Sequence, residues 1–326
     1  MSKPARRVNP DSVRTRRRFL VVGLAIFLVL DAVLIVLALN PRVPVSSDSA
    51  QSTQDPIADP QAGTTPEETQ PPEASVPTVA PARILAAGDE SFAWRATTGS
   101  CGAPALPELT TDAGVSWKAT SATGATGVVS LQSIAIEGQQ VASMIGQDSV
   151  DCSAMLVRTF VAGDNYAEYP ADLDRAWFID PLDHAIVHAA AGAAPGPCGN
   201  VLVIAPRSDT EAAALCDDGS VYATVDGSTT WSPVQSGPGA MTIATTGEGY
   251  TVAAVGDSSC SGVQLSSFDA SAPTSAATTV TGACIPNPAA PSALAGQIAL
   301  SEGAGAMWLW AGDVTVRSLD GGSTWE

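Results

Sequence analysis

Two histidines, two short runs of aspartate and six cysteines are the residues here with the clearest capacity for chemistry. His184 and His188, with Asp183 beside them, form an H-x-x-x-H pair that would suit zinc on a helix. The segment around them reads instead as loop and strand. Positions four apart on a strand lie roughly 13 Å from one another, too far for one ion, so surface or partly buried histidines are expected. Asp172-Leu173-Asp174 and Asp217-Asp218 could offer oxygen ligands to calcium, but such acids are ordinary in turns. Cys101, Cys152, Cys198, Cys216, Cys260 and Cys284 contain no C-x-x-C and no zinc-like spacing; an even set confined to one half reads as disulfides in an oxidising compartment. No Ser/His/Asp constellation, phosphate loop or nucleotide fingerprint stands out. The sequence therefore offers no catalytic, cofactor-binding or metal residues.

The elements that would position these residues are announced by a repeat. Thr110-Thr111-Asp112-Ala113-Gly114-Val115-Ser116-Trp117 recurs as Thr224-Val225-Asp226-Gly227-Ser228-Thr229-Thr230-Trp231 and as Ser318-Leu319-Asp320-Gly321-Gly322-Ser323-Thr324-Trp325. The common form is [ST]-x-D-x-[GS]-x-[ST]-W. It resembles the Asp-box, or BNR repeat, of sialidase-like β-propellers. That resemblance implies a turn between two antiparallel strands, with Asp and Ser/Thr bonded to local amides, Gly allowing positive φ and Trp covering the blade edge. Asp112, Asp226 and Asp320, with Trp117, Trp231 and Trp325, are thus expected to be structural.

The intervening chain divides into short β-prone runs. Residues 83–87, 91–97 and 107–111 precede the first box and 117–120 follow it. Residues 201–205, 212–216 and 220–225 precede the second, and 297–300, 306–310 and 314–318 the third. Between boxes, 131–137, 140–146 and 154–161 suggest a blade whose box has decayed to Gly163-Asp164-Asn165-Tyr166. Residues 241–245, 250–255 and 262–268 suggest another, and 170–200 a degenerate one around 177–179 and 185–189. The expected fold is an all-β propeller of six four-stranded blades, with seven blades the alternative count and a β-sandwich the alternative fold. Because the sequence given stops just after the last box, residues 75–80 are expected to complete the last blade by strand exchange. On this blade plan Cys101, Cys152, Cys216 and Cys260 fall at loops between second and third strands, and Cys198 and Cys284 in blade-to-blade loops. All six then share the face opposite the boxes. Pairing in sequence order, 101–152, 198–216 and 260–284, is expected.

The resemblance raises an enzymatic alternative, a sialidase-like glycoside hydrolase. Sialidases use three arginines, a Tyr/Glu pair and an acid/base Asp. They also carry an early F/Y-R-I-P motif, of which Ala82-Arg83-Ile84-Leu85 keeps only Arg-Ile. The outer domain has six arginines, Arg83, Arg95, Arg158, Arg175, Arg207 and Arg317, and nothing marks a clamp among them. Propellers of this architecture also include protein-binding photosystem assembly factors and sortilin-type receptors. A binding or scaffold module with a protein or glycan ligand is the preferred expectation. Residues 83–326 carry 7 basic and 25 acidic side chains, a balance unsuited to nucleic acid or anionic lipid.

Residues 19–39 are apolar except for Asp31 and, as a helix, would span roughly 31 Å, a bilayer core. Lys3, Arg6, Arg7, Arg14, Arg16, Arg17 and Arg18 flank the span on one side against a single acid, Asp11. This places the N-terminus in the cytoplasm and residues 83–326 outside. A cleaved signal peptide fits less well, the apolar run being long and Leu39-Asn40-Pro41 a poor cleavage site. Asp31 reads as one tolerated carboxyl. Residues 40–82, with nine prolines, are expected to be a disordered tether. The Ala/Gly/Asp/Thr-rich, lysine-poor composition suits a bacterial cell envelope.

Overall fold

A computed structural model describes residues 76–247, 249–269 and 278–326. The basic tail 1–18, the expected span 19–39 and the linker as far as residue 75 lie outside these. Among the described residues no helix is long and apolar enough to cross a membrane.

The described chain is a six-bladed β-propeller. Blade 1 holds β1 (Arg83–Ala87), β2 (Ala93–Thr97), β3 (Glu108–Thr110) and β4 (Lys118–Ala119). After a helical turn, α1 (Ala122–Thr126), blade 2 holds β5 (Val128–Gly138), β6 (Val141–Asp148), β7 (Ala154–Thr159) and β8 (Ala167–Glu168). A second turn, α2 (Pro170–Leu173), leads to blade 3, with β9 (Phe178–Ile179), β10 (Ile186–Ala189) and β11 (Gly192–Pro195). Blade 4 holds β12 (Val201–Pro206), β13 (Ala212–Cys216), β14 (Val221–Thr224) and β15 (Ser232–Val234). Blade 5 holds β16 (Ala240–Thr246), β17 (Gly249–Val255), β18 (Gly262–Phe268) and β19 (Thr278–Pro286). Blade 6 holds β20 (Ile298–Gly303), β21 (Ala306–Ala311) and β22 (Val314–Ser318). Four blades are four-stranded as expected. Blades 3 and 6 have three strands, which corrects the uniform count.

The apolar residues explain the ring. Strands buried on both sides, such as β13 with Ala212, Ala213, Ala214 and Leu215, cannot face water and must stack against neighbours. The hydrophobic core is accordingly divided into six clusters, one at each blade-to-blade interface. The smallest, between blades 2 and 3, is built on Ile145, Leu156 and Phe178. Innermost strands touch in order, β20 with β1, β1 with β5, β9 with β12, β12 with β16 and β16 with β20.

Blade 3 runs against the others. Ala185 and His184 accept hydrogen bonds from Gly196 and Val201, beside the Cys198–Cys216 bridge, so the β9–β10 loop lies on the face where β12 begins. Ala191, between β10 and β11, lies on the opposite face, next to Gly227. β9 therefore runs in the sense of a second strand. Residues 169–177, through α2, return the chain to the other face where a first strand would stand. The gap is bridged by a side chain: Gln132 on β5 donates from Nε2 to the Ile179 carbonyl at 2.9 Å and accepts the Ile179 N–H at 2.8 Å. Its amide pairs with β9 as a peptide group would.

Ring closure also differs from expectation. Residues 76–80 form no strand and lie against blades 4 to 6 rather than along β22. Thr78 Oγ1 donates to the Ala240 carbonyl at 3.0 Å, and the Ala82 N–H donates to the Gly296 carbonyl at 2.7 Å. The outer edge of β22 is paired by Glu326, which exchanges both backbone hydrogen bonds with Arg317. Blades 6 and 1 are held instead by side chains. Trp308 is buried and donates Nε1 to the Asp89 carbonyl at 2.9 Å. Trp117 meets Trp308 edge-on at 6.4 Å. Arg95 lies 4.0 Å over Trp117 and 4.9 Å over Trp310, whose ring also carries Arg83 at 4.3 Å.

Candidate functional site

The propeller has two unlike faces. One, here the turn face, carries the three Asp…Trp turns that follow the third strands of blades 1, 4 and 6. In the first, Thr110 Oγ1 accepts the Gly114 N–H at 2.9 Å, and Asp112 accepts the Ser116 N–H at 2.9 Å and the Ser116 hydroxyl at 2.5 Å. The bonds repeat at Thr224, Asp226, Ser228 and Thr230, and again at Ser318, Asp320, Gly322 and Thr324. These donors hold the Asp112 and Asp226 carboxyls below the usual range, and the Thr324 N–H and hydroxyl bring Asp320 to about 2. Trp117, Trp231 and Trp325 each pack on the cluster shared with the preceding blade.

A fourth turn, in blade 2, keeps this form without the acid. Ala162 and Gly163 take the successive positive φ angles found at Ala113-Gly114, Gly227-Ser228 and Gly321-Gly322. Thr159 Oγ1 accepts the Gly163 N–H at 2.9 Å, and Tyr166 occupies the Trp position, in contact with the Thr120 hydroxyl at 2.7 Å. Val161 stands where Asp would. Burial pushes the Tyr166 phenol up to about 12, the Thr120 hydroxyl opposing.

The other, loop face is built from second-to-third-strand loops and blade links, and it carries the disulfides. Cys101–Cys152 ties blade 1 to blade 2, Cys198–Cys216 ties blade 3 to blade 4, and Cys260–Cys284 closes within blade 5. The expected order is the observed one. Cys284 lies within β19 near its loop-face end, not in a blade-to-blade loop.

On this face a cleft of about 480 Å³ opens between residues 76–78, the Asp217–Tyr222 hairpin and the 233–239 link. Asp217 and Asp218 are exposed. Asp217 accepts the Asn200 amide at 3.1 Å, and Asp218 accepts the Ser220 N–H at 2.8 Å. Tyr222 and Pro233 are cross-strand partners on β14 and β15 and supply an apolar ledge. A second cleft, of about 360 Å³, lies on the turn face between blades 1 and 6, beside Asp89 and Leu319.

The histidines are not brought together. His188, on β10, stacks on Phe178 at 4.1 Å and contacts Asp180 at 3.1 Å. His184, in the preceding loop, faces Asn200 at 3.2 Å. Asp172 pairs with Arg158 at 2.9 Å, and Arg158 also meets Glu137 at 3.0 Å. No cluster of three metal-ligating side chains occurs among the described residues. Three of the arginines serve the scaffold: Arg83 donates to the Gly312 carbonyl, Arg95 pairs with Glu108 at 2.7 Å, and Arg317 with Glu326 at 2.8 Å. Burial, partly opposed by Asp313, lowers the Arg83 pKa from its ordinary value. Sequence reasoning missed the Arg/Trp seam and the cleft, because both join residues far apart in the chain.

No protein-family model and no curated protein matches the chain. Solved structures with propeller likeness do. YCF48 bound to D1 peptide is 18% identical with a TM-score of 0.31, over 77% of this chain and 83% of that one. A GH74 xyloglucanase from Xanthomonas campestris is 14% identical with a TM-score of 0.41, over 78% and 46%. An α-L-arabinofuranosidase from Clostridium thermocellum is 13% identical with a TM-score of 0.39, over 70% and 80%. At these identities the likeness concerns fold alone.

Proposed function

We propose that the chain is a single-pass membrane protein of a bacterial envelope, whose propeller is an extracytoplasmic binding or scaffold module for a protein or glycan, with the Asp…Trp turns acting as structural Asp-boxes. One observation carries the binding reading: all three disulfides brace the loop face, and the larger cleft opens there. Fixing loops before a ligand arrives lowers the ordering cost of binding. The apolar run 19–39, its basic flank and the disulfides support the tethered, outside placement.

The test uses the full chain in detergent, screened on arrays of glycans and envelope proteins. Ligands should be lost on substituting exposed loop-face residues such as Leu182→Arg and Asp257→Arg, and kept with Val225→Arg on the turn face. The reverse pattern would reject the loop face as the binding surface. Turnover of a fluorogenic sialoside would favour the glycoside-hydrolase alternative. In wall-stripped cells, added protease should remove residues 83–326 and spare the N-terminus; protection of the propeller would reject the orientation.

A further inference from the structure

The cleft on the loop face has an asymmetric lining that names a ligand chemistry. One wall is a stretch of this chain's own proline-containing linker, Val76-Pro77-Thr78, pinned by the Thr78–Ala240 hydrogen bond at 3.0 Å. The segment approaches closely where two glycines carry no side chain. A β-carbon on Gly219 would stand 3.1 Å from Thr78 Oγ1, and one on Gly296 would stand 2.9 Å from the Ala80 carbonyl oxygen. The rest of the lining includes Tyr222 beside its cross-strand partner Pro233, Pro238, and the exposed carboxylates of Asp217 and Asp218. A tyrosine-and-proline ledge accepts the stiff, prepaid backbone of a polyproline-type segment, and flanking acids select a cation on it. The chain's own linker is a poor occupant. Beyond Arg42 it holds no base, while Asp48, Asp55, Asp59, Glu67, Glu68 and Glu73 would face the acidic rim.

We propose that this cleft binds an extended, proline-containing segment of a partner protein that bears a lysine or arginine. The inference rests on the reading of the propeller as a binding module and assigns it a partner class. The cationic residue sits at Asp217 and Asp218, the prolines lie on Tyr222 and Pro233, and residues 76–78 close the third side.

The test is fluorescence anisotropy on the full chain in detergent micelles. The probes are a labelled Pro-Pro-Arg-Pro-Pro peptide and its Pro-Pro-Glu-Pro-Pro counterpart. The arginine peptide should bind and the glutamate peptide should bind at least tenfold more weakly, with the difference shrinking as salt rises. Asp218→Lys and Tyr222→Ala should each weaken the arginine peptide about tenfold or more, whereas Val225→Arg on the turn face should leave it unchanged. Asp218 is exposed, so its variant should keep the three disulfides; non-reducing peptide mapping checks this. Equal binding of both peptides, no binding of either, or indifference to both cleft substitutions would overturn the proposal. Array ligands that persist on the loop face in that case leave the general binding reading standing, whereas loss of both refutes both.

Discussion

At the scale of single residues, the hydroxyl rather than the acid is the constant part of the repeated turn. Thr110, Thr159, Thr224 and Ser318 are all 2 % exposed or less, and each accepts the N–H four residues on. The turn in blade 2 keeps this bond with Val161 in the Asp position. A buried N–H left without an acceptor costs about 1–3 kcal/mol. Thr159→Val should therefore destabilise the propeller by about that amount in urea unfolding, and Thr110→Val by less, the Gly114 N–H being half-buried. The aspartates contribute differently, through pH. Asp320 is lowered from 3.8 to about 2 in the fold. A depressed carboxyl contributes stability that is present above its unfolded pKa and lost as pH falls through the folded value. Asp320→Asn should flatten the loss of stability between pH 3.8 and about 2. Its effect on the slope above pH 5 should be nil; an unchanged acid limb would show that these bonds do not persist in solution.

At the scale of elements, blade 3 is the weak point, for a reason visible in its strands. β9 has two residues, and the cluster between blades 2 and 3 is the smallest of the six. Gln132 supplies with one side chain what a neighbouring strand would supply along its length. Gln132→Leu would strip both partners from the Ile179 peptide groups, at a cost of about 1–3 kcal/mol for each group left buried and unpaired. The signature would be local: hydrogen exchange at residues 178–189 should accelerate by more than exchange in β12 or β16. Uniform acceleration across all blades would mean that blade 3 does not open by itself.

At the scale of the whole molecule, the ring of described residues is held by packing and by covalent bridges, with no strand among them shared between first and last blades. Cys101–Cys152 closes 51 residues and joins two blades, whereas Cys260–Cys284 closes 24 within one. Chain entropy alone assigns about 4.1 kcal/mol to the first and about 3.5 kcal/mol to the second. The Cys101→Ser/Cys152→Ser variant should accordingly show a lower melting temperature than Cys260→Ser/Cys284→Ser by differential scanning calorimetry. Equal melting temperatures would show that native-state packing, not loop closure, sets the value of these bridges.

The sequence by itself determined what is local or strictly periodic. The Asp…Trp turns could be read because each of their hydrogen bonds spans two to four residues. The six blades followed from short apolar runs between those turns, and the cysteine pairing followed from which strand ends share a face. The sense of β9, the Gln132–Ile179 pairing, the Arg/Trp seam and the seat of residues 76–82 were decided only by the tertiary structure. Each depends on groups distant in the chain, 47 residues apart for Gln132 and Ile179 and 229 for Arg83 and Gly312. The identity of a residue carries no trace of a partner so far away. Residues 76–80 read as a strand able to cap the last blade, but Glu326 already pairs the Arg317 edge of β22, and Val76 packs instead against the cluster between blades 5 and 6. The loop-face cleft exists for the same reason: residues 76–78 meet the Asp217–Tyr222 hairpin and the 233–239 link from far along the chain, 162 residues separating Thr78 from Ala240.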